Sequence, residues 1–156
     1  MNMKTCGIIT EYNPFHQGHI YHIKKTKELT QCDCLIAIVS NHFTQRGLFS
    51  LLTMEDKTKL ALEAGCNLVM ELPPCYAAQS ADYFAKYAVE SLSQLHIDQS
   101  CFGSETNNIS TLKEYSKQME STQVVPSLSM NQNLYTKNIR PNDILGIQYI
   151  KQCEKY

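Results

Sequence analysis

The sequence lacks a surplus of either charge: 14 Lys and Arg stand against 15 Asp and Glu, a net charge of −1. That balance excludes a broad basic face for nucleic acid and leaves a local patch or a small-molecule phosphate site. It also lacks any apolar stretch near the ~20 residues a membrane span requires, since runs such as Cys34 to Val39 are far shorter. No export signal is evident, because Met1-Asn2-Met3-Lys4-Thr5-Cys6 leads straight into a short apolar segment. Seven cysteines, an odd number scattered through apolar runs, do not form a disulfide framework and read as reduced thiols of a cytoplasmic protein. No internal repeat is present. What remains is a chain of 156 residues, 43% apolar and 19% charged. One globular domain over 1–156 is expected, large enough to carry a site without disulfides or a structural metal.

Cys6 to Ile9, Leu35 to Val39 and Leu68 to Met70 are short apolar runs without alternation, the pattern of strands buried on both faces of a parallel sheet. A fourth strand fits Ile97 to Phe102. Helical patterns separate them: Gly18 to Lys27, Met54 to Ala64 capped by Thr53 and stopped by Gly65, and a helix capped by Ser80 with Phe84, Ala88, Leu92 and Leu95 on one face. The expected fold class is α/β, a doubly wound, Rossmann-like parallel sheet with right-handed crossovers. After Gly103 the composition turns polar, with nineteen of the thirty-nine residues from Ser104 to Asn142 being Ser, Thr, Asn or Gln. A surface helix is expected over Ile109 to Met119, a mobile connection over Ser121 to Arg140, and a last helix over Ile144 to Cys153 packed through Ile144, Ile147 and Ile150.

Ligands of such sheets bind beyond the carboxyl ends of the strands, so the residues that follow each strand matter most. Four polar or Gly/Pro-punctuated loops converge there: Thr10 to His19, Ser40 to Gly47, Glu71 to Pro74, and Gly103 to Glu105. His16-Gln17-Gly18-His19 sets two imidazoles three residues apart at a helix start, beside free N–H groups and the positive end of the dipole. An anion is favoured at that point, with Gly18 removing a side chain where a phosphate would otherwise meet Cβ. A bare His-x-x-His more often caps a helix; Asn13-Pro14-Phe15 ahead of it, directly after a strand, favours phosphate binding. His22 continues the spacing, yet six residues turn a helix by about 240° and carry it away from His16, so zinc is not expected and no metal site is assigned. Cys32 and Cys34 read as structural. Ser40, Gln45 and Arg46 are candidate phosphate or substrate contacts, the guanidinium being suited to a phosphate clamp. Glu71 either orients a histidine or caps a neighbouring helix, and Asn142 either caps the last helix or contacts a nucleotide.

Gly7 to His19 resembles the opening of the bacterial tRNA-Met cytidine acetate ligase family, within the wider nucleotidyltransferase superfamily that carries a His-x-Gly-His signature. Phe43 with Gln45-Arg46-Gly47, Glu71-Leu72-Pro73, Tyr76 to Ala81, Phe102 to Glu105 and Pro141 to Ile147 resemble later family blocks in order. The resemblance implies that acetate and ATP form acetyl-adenylate and pyrophosphate, and that the acetyl group then passes to N4 of the tRNA anticodon cytidine. It implies an ATP site formed by Ile9, Thr10, Glu11, Tyr12, Asn13, Pro14, Phe15, His16, Gln17, Gly18, His19, His22, Gly103 and Asn142. His16 and His19 would be the catalytic pair, and Mg2+ would accompany ATP. Residues 1–105 would form the ATP-binding core, 106–140 a polar variable segment and 141–156 a C-terminal helix.

Departures from the family are visible too. Ser40-Asn41-His42-Phe43 replaces Ser-Gly-Asn-Phe, and Thr53-Met54-Glu55-Asp56-Lys57 replaces a basic stretch. The segment between Glu105 and Pro141 is short, and the chain stops at Tyr156, ahead of the family's later strand and Ser/Thr-rich Ile-Arg motif, which Leu134 to Arg140 echo faintly. An impaired, nucleotide-binding paralogue and a small-molecule adenylyltransferase are therefore the alternatives, and an uncovered sheet edge suggests a homo-oligomer.

Overall fold

A computed structural model describes residues 3–121 and 139–156. Most of the connection expected over Ser121 to Arg140, and Leu134 to Asn138 of the faint second phosphate motif, lie outside the described residues. The chain divides into two compact units, Met1–Phe102 and Gly103–Tyr156.

In the first unit, β1 (Thr5–Thr10), β2 (Cys34–Ser40), β3 (Leu68–Leu72) and β4 (Gln99–Ser100) form a parallel sheet in the order β3-β2-β1-β4. Between them run α1 (Gln17–Thr30), α2 (Met54–Ala64), the short α3 (Pro74–Ala77) and α4 (Ala81–Gln94). Side chains alternate across the pleat, and the alternation shows why the strands are apolar throughout. Cys6, Ile8, Leu35, Ala37 and Val39 share one core cluster with Ile23 of α1 and Ala61 of α2. Gly7 points the other way, and a Cβ there would come within 2.6 Å of Leu92 on α4. Helices thus cover both faces, the doubly wound arrangement expected.

The register aligns the carboxyl ends of β1, β2 and β3, with Thr10 opposite Val39 and Ser40 opposite Leu72. At the opposite edge each strand is fastened by a short acceptor placed just ahead of the next one. Asp33 accepts from the Lys4 N–H (2.8 Å), Asn67 from the Leu35 N–H (2.9 Å), and Asp98 from the Thr5 N–H (2.7 Å). The amino edge is closed by these bonds, and the carboxyl edge is left to the long loops.

Several boundaries differ from the sequence expectation. Strand β4 is two residues rather than Ile97 to Phe102, and the edge strand β3 leaves Leu68 and Glu71 exposed instead of buried on both faces. Thr53 caps α2 by accepting from the Asp56 N–H (3.1 Å), and Gly65 ends it at φ +119°. Ser80 does not cap α4, because its hydroxyl donates to Asp82 instead.

The second unit holds α5 (Ile109–Ser121) and α6 (Pro141–Cys153), which pack on each other. Helix α6 begins with Pro141, a residue pre-set for the first helical turn, ahead of the expected Ile144. Ile144, Ile147 and Ile150 are buried as expected. No helix among the described residues is long and apolar enough to cross a membrane.

Candidate functional site

His16 is the residue that starts α1, and its ring performs the cap. Its Nδ1 accepts from the Gly18 N–H (3.0 Å), while Nδ1 of His19 accepts from the His16 N–H (3.2 Å), so the two imidazoles form a reciprocal capping box. A nitrogen that accepts an N–H carries no proton of its own, and a neutral imidazole must then hold its proton on Nε2. Both rings are thereby fixed as Nε2–H donors, stacked with centroids 3.9 Å apart. Capping therefore uses Nδ1 of each ring and leaves Nε2 as the nitrogen that can donate. The free N–H groups expected at this helix start are partly taken: those of His16 and Gly18 are bonded to the rings.

His19 is held edge-on by Tyr12 (4.9 Å) and tilted against Phe15 (5.5 Å). Burial, aided by the neighbouring His16 and His22, pushes its pKa down to about 4. It is consequently neutral near pH 7 and remains a donor. Tyr12 is fully buried, with its backbone in the left-handed region at φ 50°, and burial raises its phenol out of the titrating range. A Cβ at Gly18 would lie 2.8 Å from Cε1 of His16, so the glycine makes room for the capping ring.

The other residues of the first loop divide by role. Ile9 and Thr10 are buried in the sheet, whereas Pro14 and Gln17 are exposed. The Glu11 carboxylate accepts from the Gln45 N–H, and Asn13 bonds the backbone of the next loop twice, to the Phe49 carbonyl (3.2 Å) and the Leu51 N–H (2.6 Å). Gln45 in turn donates its side-chain amide to the Gln79 carbonyl (2.7 Å). Loops that follow three different strands are tied together in this way.

Ser40 is buried at the end of β2, and its hydroxyl has no hydrogen-bond partner. Arg46 is exposed in the turn ahead of Gly47, which sits at φ +77°. Glu71 accepts from the Asn41 amide (3.0 Å), so it neither orients a histidine nor caps a helix. His22 is half-buried with its Nε2 unbonded, and burial lowers its pKa. Among the described residues no group of three or more His, Cys, Asp or Glu is placed to hold a metal.

Nothing in the sequence marks Lys57 as buried. Its side chain is fully buried, and its ammonium donates to the carbonyls of Ser40 (2.7 Å) and Asn41 (3.3 Å) at the end of β2. Burial lowers its pKa, opposed by the Glu11 carboxylate. The signal available was only a lysine one turn into an amphipathic helix, a pattern shared by most solvated lysines.

In the second unit, Gly103 is open, with nothing within 4 Å of a Cβ built there. Asn142 is exposed and does not cap α6; the Glu105 carboxylate does, accepting from the N–H groups of Asn142 (3.3 Å) and Asp143 (3.1 Å). Asp143 answers by accepting from the hydroxyls of Ser104 (2.5 Å) and Thr106 (2.6 Å). Burial raises its carboxyl, but these bonds outweigh burial and hold it below the usual range.

Comparison with known proteins gives a consistent result. The profile of the HIGH nucleotidyl transferase family matches residues 3–156. A tRNA(Met) cytidine acetate ligase of Geobacillus sp. (strain WCH70) is 40% identical over 96% of this chain and 42% of its own length. One from Clostridium novyi (strain NT) is also 40% identical, over 98% and 44%. The crystal structure of Thermotoga maritima TmcAL bound with alpha-thio ATP superposes with a TM-score of 0.86 at 30% identity, covering 98% of this chain and 44% of that one. The chain thus spans less than half the length of these relatives.

Proposed function

The chain belongs to the HIGH nucleotidyl transferase family, and from that membership we propose that it binds ATP at the carboxyl edge of the sheet and activates a small carboxylic acid as its adenylate. The observation that carries this reading is the histidine capping box, which leaves one Nε2–H donor on each of two neighbouring rings. Residues Ile9 to His19 with His22 would surround the nucleotide. The single family match over 3–156 supports treating 1–156 as one functional domain. Mg2+ would arrive with the ATP phosphates.

In the proposed reaction a carboxylate oxygen attacks the α-phosphorus and the bond to pyrophosphate breaks. Negative charge builds on the α-phosphoryl oxygens, where the Nε2–H groups of His16 and His19 donate. Such donors are worth roughly 10²–10³ in rate each when aimed at developing charge. His19, neutral until about pH 4, acts by hydrogen bonding and not as a base. The relatives' names, tRNA(Met) cytidine acetate ligase, point to acetate as the acid and a cytidine of tRNA(Met) as the acceptor, with AMP leaving in the second step. Seven free cysteines are consistent with a cytoplasmic setting. The two-residue β4 leaves a sheet edge that a second copy could extend, which light scattering tests.

The test is ATP–pyrophosphate exchange with and without acetate. Acetate-dependent exchange is expected, with His16→Asn slower by about 10²–10³. Exchange that ignores the acid supplied, or that survives His16→Asn unchanged, would remove this reading.

A further inference from the structure

Lys57 has no task in the nucleotide reading, and its setting is unfavourable for a cation. It stands one turn into α2, at the end of the helix whose dipole repels positive charge, and its side chain is fully buried. A buried charge persists only where it is well bonded. Among the described residues Lys57 forms no ion pair; its ammonium donates instead to the carbonyls of Ser40 (2.7 Å) and Asn41 (3.3 Å). Those two residues end β2 and open the β2–α2 connection, whereas Lys57 lies just beyond its far end. One side chain therefore ties both ends of the connection together.

Two observations show what the closed connection supports. First, it is ordered along its length. Phe43 and Phe49 are bridged as a small antiparallel hairpin, closed by the Thr44 N–H to Leu48 carbonyl bond (2.8 Å) and the Ser50 N–H to His42 carbonyl bond (2.9 Å), with Gly47 in its turn. Second, the histidine loop rests on it through three hydrogen bonds: Glu11 accepts from the Gln45 N–H, and Asn13 bonds the Phe49 carbonyl (3.2 Å) and the Leu51 N–H (2.6 Å). These bonds flank Tyr12, whose buried ring meets His19 edge-on (4.9 Å), and Phe15 lies tilted against His19 just beyond them (5.5 Å). His19 in turn is bonded to the His16 N–H and stacked on its ring. From the ammonium to the two imidazoles, the contacts run without a gap.

We propose that Lys57 is a positioning residue for nucleotidyl transfer: its ammonium closes the base of the β2–α2 connection, and the connection, through Glu11 and Asn13, holds His16 and His19 so that their Nε2–H groups are aimed. Lys57 touches neither ATP nor the acid. The inference rests on the nucleotide-activating reading above and adds a residue that acts from outside the site. A lysine suits the task because its three N–H donors serve two carbonyls at once, which a hydrocarbon side chain would leave without that donor.

The experiment reads the rings directly. The full chain is labelled with 15N in its histidines, kept free of ligand well below its unfolding temperature, and its imidazole nitrogens are followed by NMR as pH falls. In the original chain His19 should stay neutral, with its proton on Nε2, until about pH 4. Lys57→Met should loosen the ring and raise its midpoint by about one pH unit or more, towards the ordinary value, while Lys57→Arg, which keeps the cation and its donors, should leave it in place. Asn13→Ala cuts the relay further along and should raise the midpoint too, and adding Lys57→Met to it should give little more. In ATP–pyrophosphate exchange with acetate, Lys57→Met should lower kcat by about 10- to 100-fold with KM for ATP within about 3-fold, because loosened rings still reach ground-state phosphates but are no longer aimed. Lys57→Arg should restore kcat. A folded Lys57→Met with an unmoved His19, or effects that add in full with those of Asn13→Ala, overturns the proposal. Should Lys57→Met not fold, Lys57→Gln takes its place, and an unmoved His19 in Asn13→Ala overturns the proposal by itself. Absence of exchange in the unmodified chain is a failure of the activity reading, and the His19 midpoints then still decide whether Lys57 holds the rings.

Discussion

At the scale of single residues, the two nitrogens of His16 separate folding from function. An asparagine is a good helix cap, so His16→Asn keeps an acceptor for the Gly18 N–H but has no donor in place of Nε2–H. Its stability in urea should match the original chain within about 0.5 kcal/mol, while its affinity for ATP falls about 10- to 100-fold, the loss of one hydrogen bond to a charged group. His16→Ala should lose both, at an additional ~0.5–2 kcal/mol of stability. Calorimetry and urea unfolding on the pair decide it. Equal ATP affinity in His16→Asn would reduce the histidine to a cap.

His19 makes a second residue-scale prediction. Its folded pKa of about 4 lies below the ordinary 6.5, so the unfolded chain takes up a proton first as pH falls. Stability from this group is complete above about pH 6.5 and is lost progressively down to pH 4. His22, also lowered, steepens the same limb. Urea midpoints measured from pH 7.5 to 4 should decline, and decline less in His19→Asn. Of this constellation the sequence displayed the residue types and their spacing. It could not display which nitrogen meets which N–H, because that depends on the ring lying over Gly18.

At the scale of elements, α2 was the easiest to read because its signals are local. Thr53 caps it and Gly65 ends it within the same thirteen-residue stretch. Thr53→Ala should cost about 1 kcal/mol, and Gly65→Ala at least about 1 kcal/mol because φ +119° is strained for any side chain. Urea unfolding checks both, and a neutral Gly65→Ala would contradict the strain argument. Elements shaped from a distance were read poorly. The cap of α6 comes from Glu105, far back in the sequence, so Asn142 was given that task on local chemistry alone. Helix α3 is a single turn, too short for any periodicity, and the Phe43–Phe49 hairpin has no alternation to mark it. β4 was read long because an apolar run does not reveal how many of its residues find a neighbour to pair with.

For the whole molecule, ligand binding should appear as stability. A ligand at 100 times its Kd adds about 2.7 kcal/mol, which for a chain of this size raises Tm by roughly 5–11 °C. ATP should produce that rise and adenosine should not, since in the proposed site the donors address phosphates. A thermal scan with each ligand is the measurement, and equal shifts would place the contacts on the base instead. The sheet order also decides how the molecule loosens. β1 has a neighbour on each side, and it is the strand from which the histidine loop issues. β4 is held through two residues only. Thermal opening begins where the ladder is shortest, so β4 detaches while β1 stays locked to β2. If the proposed nucleotide lies between β1 and β4, the edge that yields first is the one beside it, while the loop that carries the two imidazoles issues from a strand paired on both sides.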